Sequence, residues 1–181
     1  MTVALAEEIA KTINEESARG GWTTLCDPSL AFDTPQLLAL AKMWRSKAEA
    51  LGRCPSRSDF DARELKALLR NLAIVERVGA DKPRYRFRYY GSEFVPLLGE
   101  QTGRYMDEFI PKEFLPRWII GYEAVAKTGA PLRFVSNFQL PKINYLSGET
   151  FVAPFNNPRS QNQTFLVAMY VKPKETLQLA G

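Results

Sequence analysis

The chain has no histidine among its 181 residues. That absence removes Ser/His/Asp and Cys/His nucleophilic sites, histidine-ligated haem and the usual zinc hydrolase centres. An enzyme built on this chain has to move protons with Asp, Glu, Lys, Tyr or Cys. Cysteine is scarce as well. Cys26 and Cys54 stand far apart, in no metal or redox spacing, and read as two reduced thiols. Long apolar runs are missing too: the longest, FLVAMYV at 165–171, is far too short to span a bilayer. The opening MTVALAEEIAKTINEES is acidic and amphipathic, without the basic start and apolar centre of a signal peptide. A soluble cytoplasmic protein with no membrane contact is the expectation.

Neither sign of charge dominates. The formal net charge is +4, and its excess gathers between Arg53 and Arg88, where ten basic residues face five acidic ones. Such a segment can attract an acidic partner, but it is too weak and dispersed for a nucleic-acid interface. What the chain does have is apolar bulk, 45% of residues with 12% aromatic. That suffices for a core needing neither disulfide nor metal, and the length suits one domain. The expected division is an N-terminal helix and linker at 1–32, a main domain with its leading helices at 33–175, and a tail at 176–181.

Leu5, Ile9 and Ile13 recur every four residues, a narrow apolar helical stripe ended by Gly20 and Gly21. It can dock on its own domain or on a second copy. A stronger helix follows, capped by Asp33 or Thr34, with Pro35 at its first position and Gly52 at its stop; Leu37, Leu38, Ala41, Trp44, Ala48 and Leu51 share its apolar face. Asp61 and Glu64 stand three apart, in a capping-box spacing. With Asp59 they read as helix-entrance carboxylates rather than an acid–base pair. LAIVERV and the stretch from Arg84 to Tyr90 form a hairpin. In its second strand Tyr85, Phe87 and Tyr89 alternate with Arg84, Arg86 and Arg88. A short helical segment at 92–98 and a longer helix at about 112–128 come next, the latter with Leu115, Trp118, Ile119, Tyr122, Val125 and Ala126 on its apolar side. Three strands finish the chain: LRFVSNFQL, ETFVAPF, and QTFLVAMYV. The last is apolar on both faces and so belongs mid-sheet with both sides covered.

Glycines beside arginines in YRFRYYGSEFVPLLGEQTGR raise the question of a phosphate loop. Gly91, Gly99 and Gly103 are spaced by eight and four, no Gly-Lys-Ser/Thr follows, and the dinucleotide fingerprint needs other spacings. They read as positive-φ turn residues or helix stops. The arginine row has three readings: a solvated strand face, pairing of Arg88 or Arg104 with Asp107 or Glu108, or contact with an anionic ligand.

The element order, two strands, helices, then a three-strand meander, resembles the PAS arrangement. CPSRSDFDARELKALLRNLAIVE, YRFRYYGSEF, GEQTGRYMDEF and ETFVAPFNN, in that order over roughly 40–171, resemble a bacterial family of small single-PAS-domain proteins. Cys54 stands where that family usually has an aliphatic residue. The resemblance implies an α+β fold, a PAS-like five-stranded antiparallel sheet curled around a small cavity with helices packed on it, here with an N-terminal helical extension. It implies a regulatory module rather than a catalyst. The family's Arg and Gly of the second strand fall on Arg88 and Gly91, its Thr-Gly-Arg turn on Thr102, Gly103 and Arg104, and its early Pro and Arg on Pro55 and Arg57. It supplies no ligand.

Trp118 and Tyr122 can meet Phe87, Phe134, Phe151 and Phe155 across the sheet, around a cavity for a small hydrophobic ligand. With Arg88 and Arg104 for an anionic one, the candidate ligand residues are Phe87, Arg88, Arg104, Trp118, Tyr122, Phe134 and Phe151. No cofactor is assigned: haem lacks its usual histidine, and no cysteine sits in the Asn-Cys-Arg context of a flavin adduct. The expected function is a non-catalytic sensor or interaction module acting in trans, on a homodimer or another signalling protein. The competing reading is a small enzyme on a cone-like fold, with Tyr85, Tyr89 or Tyr122 and a carboxylate as acid and base.

Overall fold

Apolar spacing positions the helices, and long-range polar contacts fix them to the sheet. The structure, a computed structural model, describes residues 3–140, 142–158 and 160–174. The expected tail at 176–181 lies outside the described residues. Helix α1 (Val3–Arg19) buries Ala10, Ile13 and Ser17, which share one face at spacings of three and four. It lies on strand β1 (Thr24–Asp27) and helix α5 (Leu115–Thr128) of its own chain.

Helix α2 (Pro35–Leu51) begins with Pro35 and stops at Gly52, φ 62°. Its N-cap, Thr34, makes no side-chain cap bond. The cap comes instead from Glu149 of strand β5 (Leu146–Phe155), whose carboxylate accepts the N–H groups of Asp33 at 2.9 Å and Thr34 at 2.8 Å. An anion there also meets the positive end of the helix dipole. A distant residue thus replaces the expected local cap and ties α2 to the sheet. Asp61 caps helix α3 (Ala62–Lys66) in a reciprocal box with Glu64. Asp59 accepts from the Ser56 N–H at 2.7 Å and pairs with Arg53 at 2.8 Å.

Strands β2 (Leu72–Val78), β3 (Arg84–Tyr90), β4 (Leu132–Asn137), β5 and β6 (Gln163–Pro173) join β1 in one antiparallel sheet, ordered β1-β4-β5-β6-β2-β3. All five expected strands are present. The sixth, β1, adds to the edge by pairing Thr24 with Ser136 and Asp27 with Arg133. Four residues are too few to display an alternation. Strand β6 sits inside the sheet and is buried on both faces. Phe165, Val167 and Met169 join the core under α1 and α5. Leu166 and Ala168 join a second core under α2, with Phe32, Phe60, Phe151 and Phe155. The outer face of β6 is covered by the chain's own α2.

Three expectations are corrected. A register shift between Ile74 and Val75 places Tyr89 opposite Ile74 but Phe87 opposite Val75, which leaves Arg88 as an extra residue. This bulge breaks the period of two. Beyond it Tyr90 takes the inner face, and Tyr89 turns outward to pack with the α2 core. Phe151 and Phe155 occupy the outer face, not the inner one, because the inward residues of β5 are Thr150 and Val152. Gly91 does not have positive φ, unlike Gly99 (77°) and Gly103 (82°). It is glycine because a Cβ there would lie 2.4 Å from the Arg70 carbonyl oxygen and 2.6 Å from that of Leu69.

Candidate functional site: a cavity on the inner face of the sheet

Helix α5 crosses the inner face on a stripe of small residues. Gly121, Ala124 and Thr128 are buried at spacings of three and four, so the helix backbone comes close to β4. A Cβ on Gly121 would lie 3.2 Å from the Phe134 ring. Between α5, the short helix α4 (Val95–Leu98) and the sheet a cavity of about 100 Å³ remains. That is the scale of cavities that take up a single benzene-sized ring.

Aromatic rings form its walls. Phe87 and Tyr90, both inward because of the bulge, meet edge to face at 4.9 Å, and Tyr90 meets Phe94 at 5.2 Å. Trp118 of α5 lies 6.4 Å from Phe138, and Phe134 closes the side under Gly121. Val152, Val167 and Met169 make the floor.

Polar groups interrupt this lining: Thr24, Arg117, Tyr122, Ser136 and Thr150. Thr24 and Ser136 are direct cross-strand partners, and Thr150 is the partner of Phe134, so all three point to the same face. Among the described residues, the hydroxyls of Thr24, Tyr122, Ser136 and Thr150 make no side-chain hydrogen bond, yet none is sealed away from a water-sized visitor. Burial pushes the Tyr122 hydroxyl above its ordinary range, which keeps it protonated and able to donate.

Arg117 is 9% exposed. It donates through Nη1 to the Gln139 side-chain oxygen and lies over the Phe114 ring at 5.4 Å. It has no carboxylate partner among the described residues. Desolvation by burial therefore lowers its pKa from the ordinary value. Other arginines with little exposure behave oppositely, because acids hold them: Arg133 by Asp27, Asp33 and Glu149, Arg86 by Glu76, Arg77 by Glu123.

Of the residues singled out in the sequence, Phe87, Trp118, Tyr122 and Phe134 come together at this cavity. Phe151 is separated from it by the sheet. Arg88 is exposed at the bulge and makes no ion pair among the described residues. Arg104 lies outside the lining and pairs with Glu108 at 3.6 Å, while Asp107 goes to Arg84 at 2.8 Å. Sequence reasoning missed Arg117, whose charge masked its membership of the Gly121–Ala124–Thr128 stripe. It also missed Tyr90 and Phe94, which the bulge and the α4 turn bring inward.

The tyrosine–carboxylate pairing expected of an enzyme is not assembled in the cavity, since no Asp or Glu lines it. Tyr85 does donate to Glu123, but neither lines the cavity. Neither cysteine lines it, and burial pushes the Cys26 thiol up to about 12.

A six-stranded antiparallel sheet with helices closing a small chamber on its inner face defines an α+β domain of the PAS type. The chain belongs to the PAS domain family, whose sequence pattern matches residues 32–170. Among solved structures it is similar to the light state of the blue-light photoreceptor Aureochrome1 LOV, at 16% identity and TM-score 0.37, over 60% of this chain and 86% of that one. It is also similar to an RNA-binding Light-Oxygen-Voltage receptor, at 13% identity and TM-score 0.37, over 92% of this chain and 53% of that one. No curated protein matches the sequence. Among the described residues no helix is long and apolar enough to cross a membrane.

Proposed function

We propose that this chain is a non-catalytic PAS sensor module that takes a small ligand into the inner-face cavity and passes its occupancy to a second copy or another signalling protein in trans. The observation that carries the reading is the cavity itself: ring-lined, and edged by hydroxyls without protein partners. A filled core would have closed around apolar atoms, whereas the partly buried Thr24, Ser136 and Thr150 hydroxyls here stay within reach of water. Occupancy would change the seating of α4 and α5, the elements that roof the cavity. The bulge that aims Tyr90 inward and the Thr102–Gly103–Arg104 turn lie on the same edge, giving the roof a route to the surface. The domain proper is proposed to run from 33 to 175, with residues 1–32 as a cap, in a cytoplasmic protein.

Native mass spectrometry of freshly purified protein tests this. A bound small molecule is expected in the wild type and is expected to disappear in Ser136→Phe, which fills the cavity from β4. Only unliganded mass in the wild type, with no ligand recovered after denaturation, would count against the sensor reading.

A further inference from the structure

We propose that the cavity's ligand is a monoanionic carboxylate attached to one small ring or short apolar body, and that Arg117 is its anchor. This inference rests on the ligand-binding reading of the same cavity and gives that ligand a charge.

A guanidinium on a residue with so little exposure is ordinarily paired, because partial loss of water already disfavours its charge. Arg133, comparably buried, is paired with three acids. Among the described residues Arg117 has one neutral acceptor, Gln139, whose own amide nitrogen is held at 3.1 Å by the Gly21 carbonyl oxygen. Gln139 therefore orients the guanidinium without neutralising it. Five N–H donors are available on a guanidinium, and one is used here. Arg117 lines a cavity that contains no carboxylate.

The rest of the lining narrows the class. One cation with no second basic residue in the lining suits one negative charge, so a phosphate dianion would be undercompensated. A planar carboxylate fits the guanidinium fork in two parallel hydrogen bonds. Thr24, Ser136 and Thr150 can donate to its oxygens or to a second polar substituent. Beyond them Phe87, Phe134 and Trp118 offer rings to an apolar body, and about 100 Å³ limits that body to roughly one ring.

The test uses benzoate and benzamide, which share ring and size but differ in charge, with the full chain at neutral pH. Calorimetry and thermal-shift measurements on the wild type are expected to show benzoate binding roughly tenfold to a hundredfold more tightly than benzamide, the worth of a charge-assisted hydrogen bond. Arg117→Gln is expected to abolish that preference while leaving weak binding of both. Arg117→Lys, a point charge without the fork, is expected to keep part of it. A readout independent of any variant's folding is the arginine Nε–H spectrum of the wild type. Benzoate should move one resonance, assigned to Arg117, that benzamide leaves in place.

Equal binding of the two probes, or a carboxylate preference that survives Arg117→Gln, would overturn the charge assignment and leave the cavity reading standing. Binding of neither probe would also overturn it. Whether the sensor reading falls as well is decided separately, by the native mass measurement on ligand retained from the cell.

Discussion

The two faces of the sheet use the same strands to opposite ends. On the outer face Phe151, wholly buried, meets Phe32 at 6.0 Å, Phe155 meets Phe60 at 6.0 Å, and the Trp44 indole donates to the Pro154 carbonyl at 3.0 Å. Its buried arginine, Arg133, is held by Asp27, Asp33 and Glu149. Its buried carboxylate, Glu76, accepts from Arg86, Ser160 and Asn162. On the inner face the rings meet one another around a cavity, and among the described residues the hydroxyls of Thr24, Tyr122, Ser136 and Thr150 make no hydrogen bond and the buried arginine has no acid. Residues one step apart on β5, Thr150 and Phe151, thus belong to different kinds of core. The outer face satisfies its own buried charges, whereas the inner one keeps a hollow with no carboxylate in its lining.

The contrast is most sharply broken by lesions on the outer face. Arg133→Met strands Glu149 without its counter-ion and is expected to cost about 3–5 kcal/mol. Phe151→Ala is expected to cost a similar amount, about 4 kcal/mol, because close-packed atoms surround it on every side. Phe134→Ala, its inner-face counterpart, is expected to cost about 2 kcal/mol, since part of its surface already faces open space and makes no dispersion contact there. Urea unfolding of the three variants measures this order. Equal losses for Phe151→Ala and Phe134→Ala would mean that the two cores are packed alike.

Acid should also act through the outer face. The partners of Glu76, acting against desolvation, lower its carboxyl to about 2; Asp27 and Glu149 are lowered too. A depressed folded-state pKa contributes stability that is fully present above the unfolded value near 4.5. It is lost as pH falls through that value towards 2. For Glu76 the contribution is at most about 3 kcal/mol. Glu76→Gln is expected to lower stability at pH 7 by about 2 kcal/mol and to converge on wild type near pH 3. A wild-type acid limb unchanged by the substitution would place the titration elsewhere. The inner lining, holding no carboxylate, contributes nothing in this window.

Much of this architecture was legible in the sequence. The apolar runs mark the helices and five strands, the doubly apolar β6 marks the sheet centre, and Asp61 with Glu64 marks a helix start. Four cavity residues, Phe87, Trp118, Tyr122 and Phe134, follow from alternation and helical spacing. What was hidden depends on tertiary register. The bulge at Arg88 exchanges Tyr89 for Tyr90, and no local signal announces it. Phe151 was placed inward because strand alternation says which residues share a face, never which face meets which helix. Arg117 was hidden by its own chemistry: charge reads as exposure unless the small residues at 121, 124 and 128 are seen to continue from it.

The smallest expected effect bears most directly on the difference between the faces. Arg117→Met replaces a buried cation lacking an acid by an apolar chain of similar length. No carboxylate is left stranded, and Gln139, only partly buried, can turn to water. Apolar replacement of such a group is neutral or stabilising where its desolvation is uncompensated. Urea unfolding of unliganded protein is expected to show Arg117→Met within about 1 kcal/mol of wild type, on the stable side. A loss near that of Arg133→Met would mean that Arg117 already has its partner within the fold, and the inner face would then be as finished as the outer one. A gain in stability with loss of the benzoate preference would locate the cost of binding chemistry in one side chain, held charged and under-partnered by a domain that is more stable without it.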